Sequence, residues 1–262
     1  MTDRIALFFD IDGTLFDGAT KSVLPSTIKM LDELKSKGIY DLYLSTGRSL
    51  ETLGKINEYK EYFTGMNLTN GQEIYINGKT YYGDMFDKEV LTRLLKVSEE
   101  RNNPLGLILK DDIIMNFITE ECTYTFTTYI KATVTNLDHK PFDLSRDVMQ
   151  VWLFAKNEDI EHYKEEFTDV LFLNWGHYGA DVIPLGASKA RGINHIKSIM
   201  GYKKENMYAF GDGDNDTFMF EAVGTSVAMG NGSNLAKAKA TFITDDISED
   251  GLYNAVKRLK LI

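Results

Sequence analysis

The chain has little of what marks secreted or membrane-spanning proteins. Cys122 is the only cysteine among 262 residues, so no internal disulfide can form and a reducing compartment is expected. No stretch approaches the roughly 18 uninterrupted apolar residues that a membrane-spanning helix needs. The first apolar run stops at Asp10, too early for a signal peptide. We therefore expect a cytoplasmic protein with no membrane partner.

Positive charge is also scarce. The 29 lysines and arginines are outnumbered by 39 aspartates and glutamates, which gives a formal net charge of −10. Because an acidic surface repels the phosphates of nucleic acids, we expect no nucleic-acid partner. What remains is ordinary globular composition, with 43% hydrophobic and 26% charged residues. The length suits one large domain, or a core with an inserted second unit.

Two aspartates follow the first apolar run. Residues 5–9 predict a buried parallel strand, and Asp10, Asp12, Gly13 and Thr14 come directly after it. Carboxylates at the carboxyl end of such a strand lie where open α/β sheets bind ligands. An Asp-Gly turn after a core strand is also a common solvated turn, so its interpretation depends on the other strands.

Strands and helices alternate on both sides of a central segment. Before residue 83, the pattern predicts a helix from residue 25 that Gly38 closes, a strand over 39–44, a helix over 49–59 and a hairpin turning at Asn77-Gly78. After residue 187, it predicts helices over 188–200, over 217–223, near Leu235 and over 248–259, and strands over 207–210, 226–229 and 241–244. This alternation predicts an α/β fold with a doubly wound, Rossmann-like parallel sheet.

The central segment mixes hairpins with helices instead. It predicts helices over 87–101, 120–131 and 160–167, and strands over 105–109, 113–117, 148–154, 170–173 and 178–183. This mixture is typical of an α+β unit with an antiparallel sheet. We therefore expect a first core part over 1–82, an inserted domain over 83–186 and a second core part over 187–262.

Polar residues follow four of the predicted core strands, at Asp10, Ser45, Asp212 and Gly230. The carboxyl ends of parallel strands meet at one sheet edge, so these residues are expected to lie together there. Crowded carboxylates repel one another unless a cation neutralises them, and hard oxygen ligands suit Mg²⁺. The pattern therefore predicts a magnesium site.

Three further residues at this edge suit a phosphate group. Thr46 and Gly47 offer a hydroxyl and a backbone N–H ahead of a helix. Lys189, in the first turn of its helix, can supply positive charge for a phosphate dianion. Each feature alone has an ordinary explanation as a cap or a solvated charge. Their joint occurrence after successive strands favours a phosphate site.

These motifs resemble those of the haloacid dehalogenase-like superfamily of aspartyl-phosphate phosphatases. Four stretches carry the resemblance: residues 10–15 (Asp-Ile-Asp-Gly-Thr-Leu), 45–48 (Ser-Thr-Gly-Arg), Lys189 and 211–216 (Gly-Asp-Gly-Asp-Asn-Asp). The long insertion is similar to the α/β cap of the Cof-type sugar-phosphatase branch, as are Asn70-Gly71, 184–189 and 229–231. The chain departs from that branch at Gln72, where a small residue is usual, and at Ala190, where glycine is common.

The resemblance implies a Mg²⁺-dependent phosphatase of small phosphorylated metabolites, with sugar phosphates as the expected substrates. Asp10 would be the nucleophile that forms an aspartyl phosphate, and Asp12 the general acid and base. Mg²⁺ would be bound by the Asp10 carboxylate, the Asp12 carbonyl and Asp212, with Asp216 nearby. Four residues would hold the phosphate oxygens: Thr46, Gly47, Lys189 and Asn215.

The sequence leaves the substrate open. Candidates to contact the leaving group are Asn116, Trp152, Trp175, His177 and Tyr178, although the aromatic ones equally suit packing of the inserted sheet. Three alternatives stand beside a sugar phosphatase. One is a phosphomutase acting on a hexose phosphate, and another is a phosphatase of a cofactor such as pyridoxal phosphate or FMN. The third is a non-catalytic phosphosugar sensor, against which the presence of both Asp10 and Asp12 argues. The oligomeric state has no signal in the sequence.

Overall fold

The computed structural model describes residues 4–125, 133–175 and 178–262 and divides into two compact units. The first unit comprises Met1–Arg48, Leu53–Tyr82 and Ser188–Ile262, and the second Ser49–Thr52 and Gly83–Ala187. Within the described residues, every helix is too short or too polar to cross a lipid bilayer.

The described residues form sixteen strands and eight α-helices. The strands are β1 (Ile5–Phe9), β2 (Phe16–Asp17), β3 (Ser22–Val23), β4 (Tyr40–Ser45), β5 (Gly65–Leu68), β6 (Glu73–Ile76), β7 (Lys79–Tyr82), β8 (Leu105–Ile108), β9 (Ile113–Met115), β10 (Thr135–Asn136), β11 (Gln150–Lys156), β12 (Val170–Asn174), β13 (Tyr178–Pro184), β14 (Met207–Gly211), β15 (Thr225–Ala228) and β16 (Phe242–Ile243). The helices are α1 (Pro25–Ser36), α2 (Lys88–Arg101), α3 (Glu120–Thr125), α4 (Asn157–Glu166), α5 (Lys189–Met200), α6 (Asp216–Ala222), α7 (Asn234–Lys239) and α8 (Gly251–Arg258).

The first unit is built on an eight-stranded sheet in the order β16-β15-β14-β1-β4-β5-β6-β7. The strands from β16 to β5 are parallel, and β6 and β7 are added antiparallel as a hairpin. Asn77 and Gly78, both at positive φ, make its turn as predicted. The doubly wound α/β fold is confirmed. Because the core strands are parallel, their carboxyl ends meet at one edge of the sheet, and this holds for β1, β4, β14 and β15.

The central strand β1 is buried because it is apolar on both faces. Leu7 and Phe9 pack in one cluster with residues of α1 and α8, whereas Ala6 and Phe8 pack in a second cluster with residues of α5 and α6. Side chains of a strand alternate between faces, so this division places helices on both sides of the sheet. Burying each large apolar side chain contributes about 1.5–3 kcal/mol of stability. The position of β1 is therefore well fixed, and with it the start of the segment that follows.

Parts of the first unit differ from the sequence predictions. The strand β5 was not predicted, because its four residues include the polar Asn67, whose side chain is buried through hydrogen bonds to Ser45 Oγ and the Lys189 carbonyl, both 2.9 Å. The small hairpin of β2 and β3 was also missed. The predicted helix over 49–59 consists of two 3₁₀ segments, Gly54–Tyr62 in the first unit and Leu50–Thr52, which belongs to the second. Gly54, at φ +59°, lies where they join and cannot continue an α-helix.

The second unit is an α+β structure on a six-stranded sheet in the order β10-β9-β8-β11-β13-β12. All its neighbours are antiparallel except β9 and β10. One sheet face packs against apolar residues of α2 and α4, and the other carries Trp152 and Phe154. The predicted helix over 120–131 is present as α3, and its residues 126–131 lie outside the described residues.

Candidate active site

Asp10 is held at the carboxyl end of the central strand. Its N–H donates to the Phe210 carbonyl at 2.9 Å, which extends the pairing of β1 with β14 by one residue. The Asp10 side chain is buried. The chain then turns at Gly13, whose φ of +77° favours glycine. Asp12, just before this turn, keeps a 56% exposed side chain. The two predicted catalytic aspartates therefore lie in different environments.

Lys189 is the partner of Asp10. It is the first residue of α5, after Ser188, whose hydroxyl caps the helix by accepting the Arg191 N–H. The Lys189 ammonium is fully buried, 2.6 Å from Asp10 Oδ1 and 2.5 Å from Asp216 Oδ1. A buried ammonium is tolerated only when charged or polar partners replace water, and these two carboxylates do so.

Asp216 has a folding role that the sequence did not indicate. Its second oxygen, Oδ2, accepts the N–H groups of Asp212 at 2.7 Å and Gly213 at 2.8 Å. A Cβ at Gly211 would lie 2.4 Å from Asp216 Cγ, so only glycine permits this arrangement. Both oxygens of Asp216 thus bind donors of the protein itself, and they fix the loop after β14.

Asp212 faces the turn that follows Asp10. Thr14 Oγ1 donates to Asp212 Oδ1 at 3.3 Å. A Cβ at Gly13 would lie 2.3 Å from Asp212 Oδ2, so the missing side chain of Gly13 lets the carboxylate approach. Asn231 closes this turn from the next loop by donating from Nδ2 to the Gly13 carbonyl at 2.8 Å.

The site gathers more negative than positive charge. One oxygen from each of Asp10, Asp212 and Asp216 lies within 4.8 Å of the others. Burial raises the pKa of Asp10 to about 7, against the opposing effect of Lys189, and burial with the neighbouring carboxylates raises the pKa of Asp212 to about 8. Burial alone lowers the pKa of Lys189, but Asp10 and Asp216 outweigh it and raise that pKa. Such a cluster of hard oxygens suits a divalent cation.

The segment after β4 lies beside this cluster. Thr46, predicted to bind phosphate, is buried and donates its N–H to the Asn67 carbonyl at 2.9 Å. Gly47 is half-buried. Arg48 presents its guanidinium to Asp12, with Nε 2.8 Å from Oδ2 and Nη2 2.5 Å from Oδ1. Sequence reasoning gave Arg48 no role, although Ser-Thr-Gly-Arg was one of the motifs.

Asn215, the remaining phosphate-binding candidate, is half-buried just before α6. Its Nδ2 donates to Asn70 Oδ1 at 3.1 Å, and the Asn70 N–H donates to the Thr46 carbonyl at 3.0 Å. The structure thus joins three loops that are far apart in the chain. Gln72, which departs from the Cof-type pattern, accepts a hydrogen bond from Arg191 Nη1 at 2.8 Å.

The leaving-group candidates lie in the second unit. Asn116 is buried and its Oδ1 accepts the N–H groups of Leu105 and Phe117, a contact that holds the backbone. The indoles of Trp152 and Trp175 pack edge to face with a centroid distance of 6.4 Å. Tyr178 is half-buried, and His177 lies outside the described residues. Asn116 therefore has a structural role that the sequence did not indicate, and the contact of the two indoles agrees with the packing interpretation.

The site combines carboxylates and a buried lysine at the strand ends of a doubly wound parallel sheet, and an α+β unit is inserted in the chain. These are features of a hydrolase that acts on phosphate esters. The chain belongs to the haloacid dehalogenase-like hydrolase family, whose model matches residues 7–256. It is a phosphatase of the Cof-type branch.

Known proteins resemble the chain over nearly its whole length. YkrA of Bacillus subtilis, named as a candidate phosphatase, is 32% identical over 267 residues, with 99% of each chain covered. YitU of the same organism, a 5-amino-6-(5-phospho-D-ribitylamino)uracil phosphatase, is 28% identical over 268 residues, with 98% of this chain and 97% of YitU covered. The structure of the subclass IIB sugar phosphatase BT4131 has a TM-score of 0.92 and 26% identity, covering 98% of this chain and 100% of that one.

Proposed function

We propose that the protein is a Mg²⁺-dependent phosphatase of small phosphorylated metabolites, above all sugar phosphates, and that it acts through an aspartyl phosphate on Asp10. The contact of Asp10 with the buried Lys189 ammonium, 2.6 Å long, carries this proposal. It pairs a carboxylate at a ligand-binding sheet edge with a cation that can neutralise a phosphate oxygen.

The carboxylate cluster fits a magnesium ion. Both oxygens of Asp216 accept hydrogen bonds from protein donors, so Asp216 is not expected to bind the ion directly. The ligands would be the carboxylates of Asp10 and Asp212 and the backbone carbonyl of Asp12. Mg²⁺ typically takes few protein ligands and keeps several waters, which suits so small a set. When bound, it would supply positive charge against the repulsion between the phosphate and its nucleophile.

The first step transfers the phosphoryl group to the enzyme. An Asp10 oxygen attacks phosphorus, an Asp10–phosphorus bond forms, and the bond from phosphorus to the leaving oxygen breaks. Asp12 gives a proton to that oxygen, so the product leaves as an alcohol. Phosphate oxygens are held meanwhile by four residues: Thr46, Gly47, Lys189 and Asn215.

The second step hydrolyses the aspartyl phosphate. Asp12, now a carboxylate, takes a proton from water, whose oxygen attacks phosphorus and releases the Asp10 carboxylate. The guanidinium of Arg48 contacts both Asp12 oxygens and so fixes the orientation of this side chain. The exposure of Asp12 leaves room for water to reach it.

Two substitutions test this assignment. Asp10→Asn should abolish turnover, since an amide does not attack phosphorus. Asp12→Asn keeps the nucleophile, and p-nitrophenolate leaves without an acid, so one equivalent should be released in a burst before turnover stalls. The following hydrolysis should be slower by about 10²–10⁴-fold, the usual contribution of general acid–base catalysis. Rapid-quench kinetics and intact-mass analysis would detect phosphate on Asp10. A burst from Asp10→Asn, or phosphate on another residue, would contradict the mechanism.

A second candidate substrate class follows from the similarity to YitU, whose named substrate carries its phosphate on a ribityl chain attached to a uracil ring. Phosphorylated cofactors and their precursors therefore belong beside sugar phosphates in a hydrolysis screen. A phosphomutase would convert a hexose 1-phosphate into its isomer, whereas a phosphatase releases inorganic phosphate. Release of phosphate without an isomer, greatest on one of the two classes, would decide among these alternatives.

A further inference from the structure

The loop after β5 has an unusual backbone. Three consecutive residues, Thr69, Asn70 and Gly71, have φ values of 51°, 51° and 93°, all in the left-handed region. Glycine adopts this conformation freely and asparagine tolerates it, but for a β-branched threonine it is strained. Strain of this kind persists only where the surroundings impose it, and it is concentrated at functional sites.

Contacts with two neighbouring loops impose this backbone. The N–H of Thr69 donates to the Arg48 carbonyl, and that of Asn70 to the Thr46 carbonyl, both at 3.0 Å. On its other side, a Cβ at Gly71 would lie 2.1 Å from the carbonyl oxygen of Ser188, the residue before Lys189. The turn over 69–71 is therefore held between the segment after β4 and the start of α5.

The turn directs the Asn70 side chain to Asn215. Asn70 is fully buried, and its Oδ1 accepts the hydrogen bond from Asn215 Nδ2 at 3.1 Å. An asparagine amide has a soft, nearly two-fold terminal torsion, so by itself Asn215 could present either its nitrogen or its oxygen in a given direction. The acceptor on Asn70 selects one of these orientations. The Asn215 nitrogen then has a second N–H for another acceptor.

We propose that Asn70 is a positioning residue, which orients the Asn215 amide as a hydrogen-bond donor to the substrate phosphate. This inference rests on the proposed function, in which Asn215 holds a phosphate oxygen. The opposite amide orientation would turn a carbonyl oxygen toward the anion. The strained turn therefore places the Asn70 acceptor beside the Asn215 amide, whose direction it determines.

Asn70→Gly tests the proposal, because glycine keeps the left-handed backbone and removes only the side chain. Asn77→Gly is the matched control: Asn77 also has a positive φ, 53°, but lies in the turn between β6 and β7. The probes are hydrolysis of p-nitrophenyl phosphate and its competitive inhibition by inorganic phosphate. Asn70→Gly should weaken phosphate inhibition and lower kcat/KM by about 10-fold, the effect of one hydrogen bond to a charged group. Asn77→Gly should change neither.

A double-mutant cycle separates positioning from a general structural effect. If Asn70 acts through Asn215, the double variant Asn70→Gly/Asn215→Ala should be no worse than Asn215→Ala alone. Losses that multiply, or unchanged inhibition by phosphate in Asn70→Gly, would overturn the proposal. If Asn70→Gly does not fold, Asn70→Ser, too short to reach Asn215, replaces it with the same expected loss. If the proposed function itself is wrong, the Asp10→Asn variant will still hydrolyse p-nitrophenyl phosphate, a result that the Asn70 variants do not produce.

Discussion

Lys189→Met should destabilise the first unit strongly while leaving the rest of the chain unchanged. The Lys189 ammonium has no exposed surface and binds Asp10 at 2.6 Å and Asp216 at 2.5 Å. Methionine has a similar length but no charge, so the substitution leaves the two buried carboxylates of Asp10 and Asp216 without their cation, close to the half-buried carboxylate of Asp212. Removing one partner of a buried ion pair costs about 3–5 kcal/mol. For a unit of this size that corresponds to a fall in Tm of about 6–20 °C.

The measurement is thermal unfolding followed by circular dichroism in EDTA, so that no metal replaces the lysine. Lys239→Met is the matched control, because Lys239 forms an exposed ion pair with Glu221 at 3.4 Å. An exposed pair contributes about 0–1 kcal/mol, so this variant should melt close to the wild type. The loss in Lys189→Met should be larger at pH 8.5 than at pH 6, since protonated carboxylates no longer repel one another. Equal Tm values for the two variants would refute the argument that Lys189 neutralises the cluster.

Three further predictions concern the metal, the pH and the inserted domain. Excess chelator should abolish turnover, and added Mg²⁺ should restore it. Ca²⁺ should inhibit the enzyme, because it prefers more ligands and a looser geometry. Full activity in chelator would contradict the magnesium proposal. In EDTA, the free energy of unfolding should fall as the pH rises from about 4 to about 8. In the folded protein, Asp10 and Asp212 have pKa values of about 7 and about 8 and keep their protons over this range. The unfolded chain has already released these protons, so folding becomes less favourable as the pH rises. Urea denaturation at pH 5.5 and 8.5 measures this fall, which should be smaller in Asp212→Asn. Excising residues 83–186 should leave a core that still hydrolyses p-nitrophenyl phosphate but has lost its selectivity among natural phosphate esters. If the excised protein folds and ranks those esters as the whole chain does, the inserted domain does not set specificity.

The sequence by itself determined the class of fold and the sheet edge at which the candidate site lies. Apolar runs such as residues 5–9 predict buried strands, and the helices between them predict parallel pairing. Parallel strands must end at one edge, so aspartates placed directly after them are predicted to share one site. These inferences are local, because they depend on periodicity and on what directly follows a strand.

Short elements with weak or conflicting signals could not be predicted. The strand β5 has four residues and includes the buried Asn67, whose Nδ2 donates hydrogen bonds to Ser45 Oγ and the Lys189 carbonyl. The predicted helix over 49–59 has the right period but contains Gly54, whose positive φ separates two 3₁₀ segments. At β5, contacts made elsewhere in the fold outweigh local preference, whereas at Gly54 the backbone of a single residue interrupts the helix.

Only the tertiary structure decided which partner each site residue has. Lys189 contacts Asp10 across 179 positions of the chain, and Asn215 contacts Asn70 across 145. Nor can the sequence distinguish an aspartate with free ligand atoms from one such as Asp216, whose two oxygens bind the lysine and the loop after β14. The physical reason is that hydrogen bonds and ion pairs depend on distance and direction in space. These are set by strand order and loop conformation, which short-range sequence patterns do not specify.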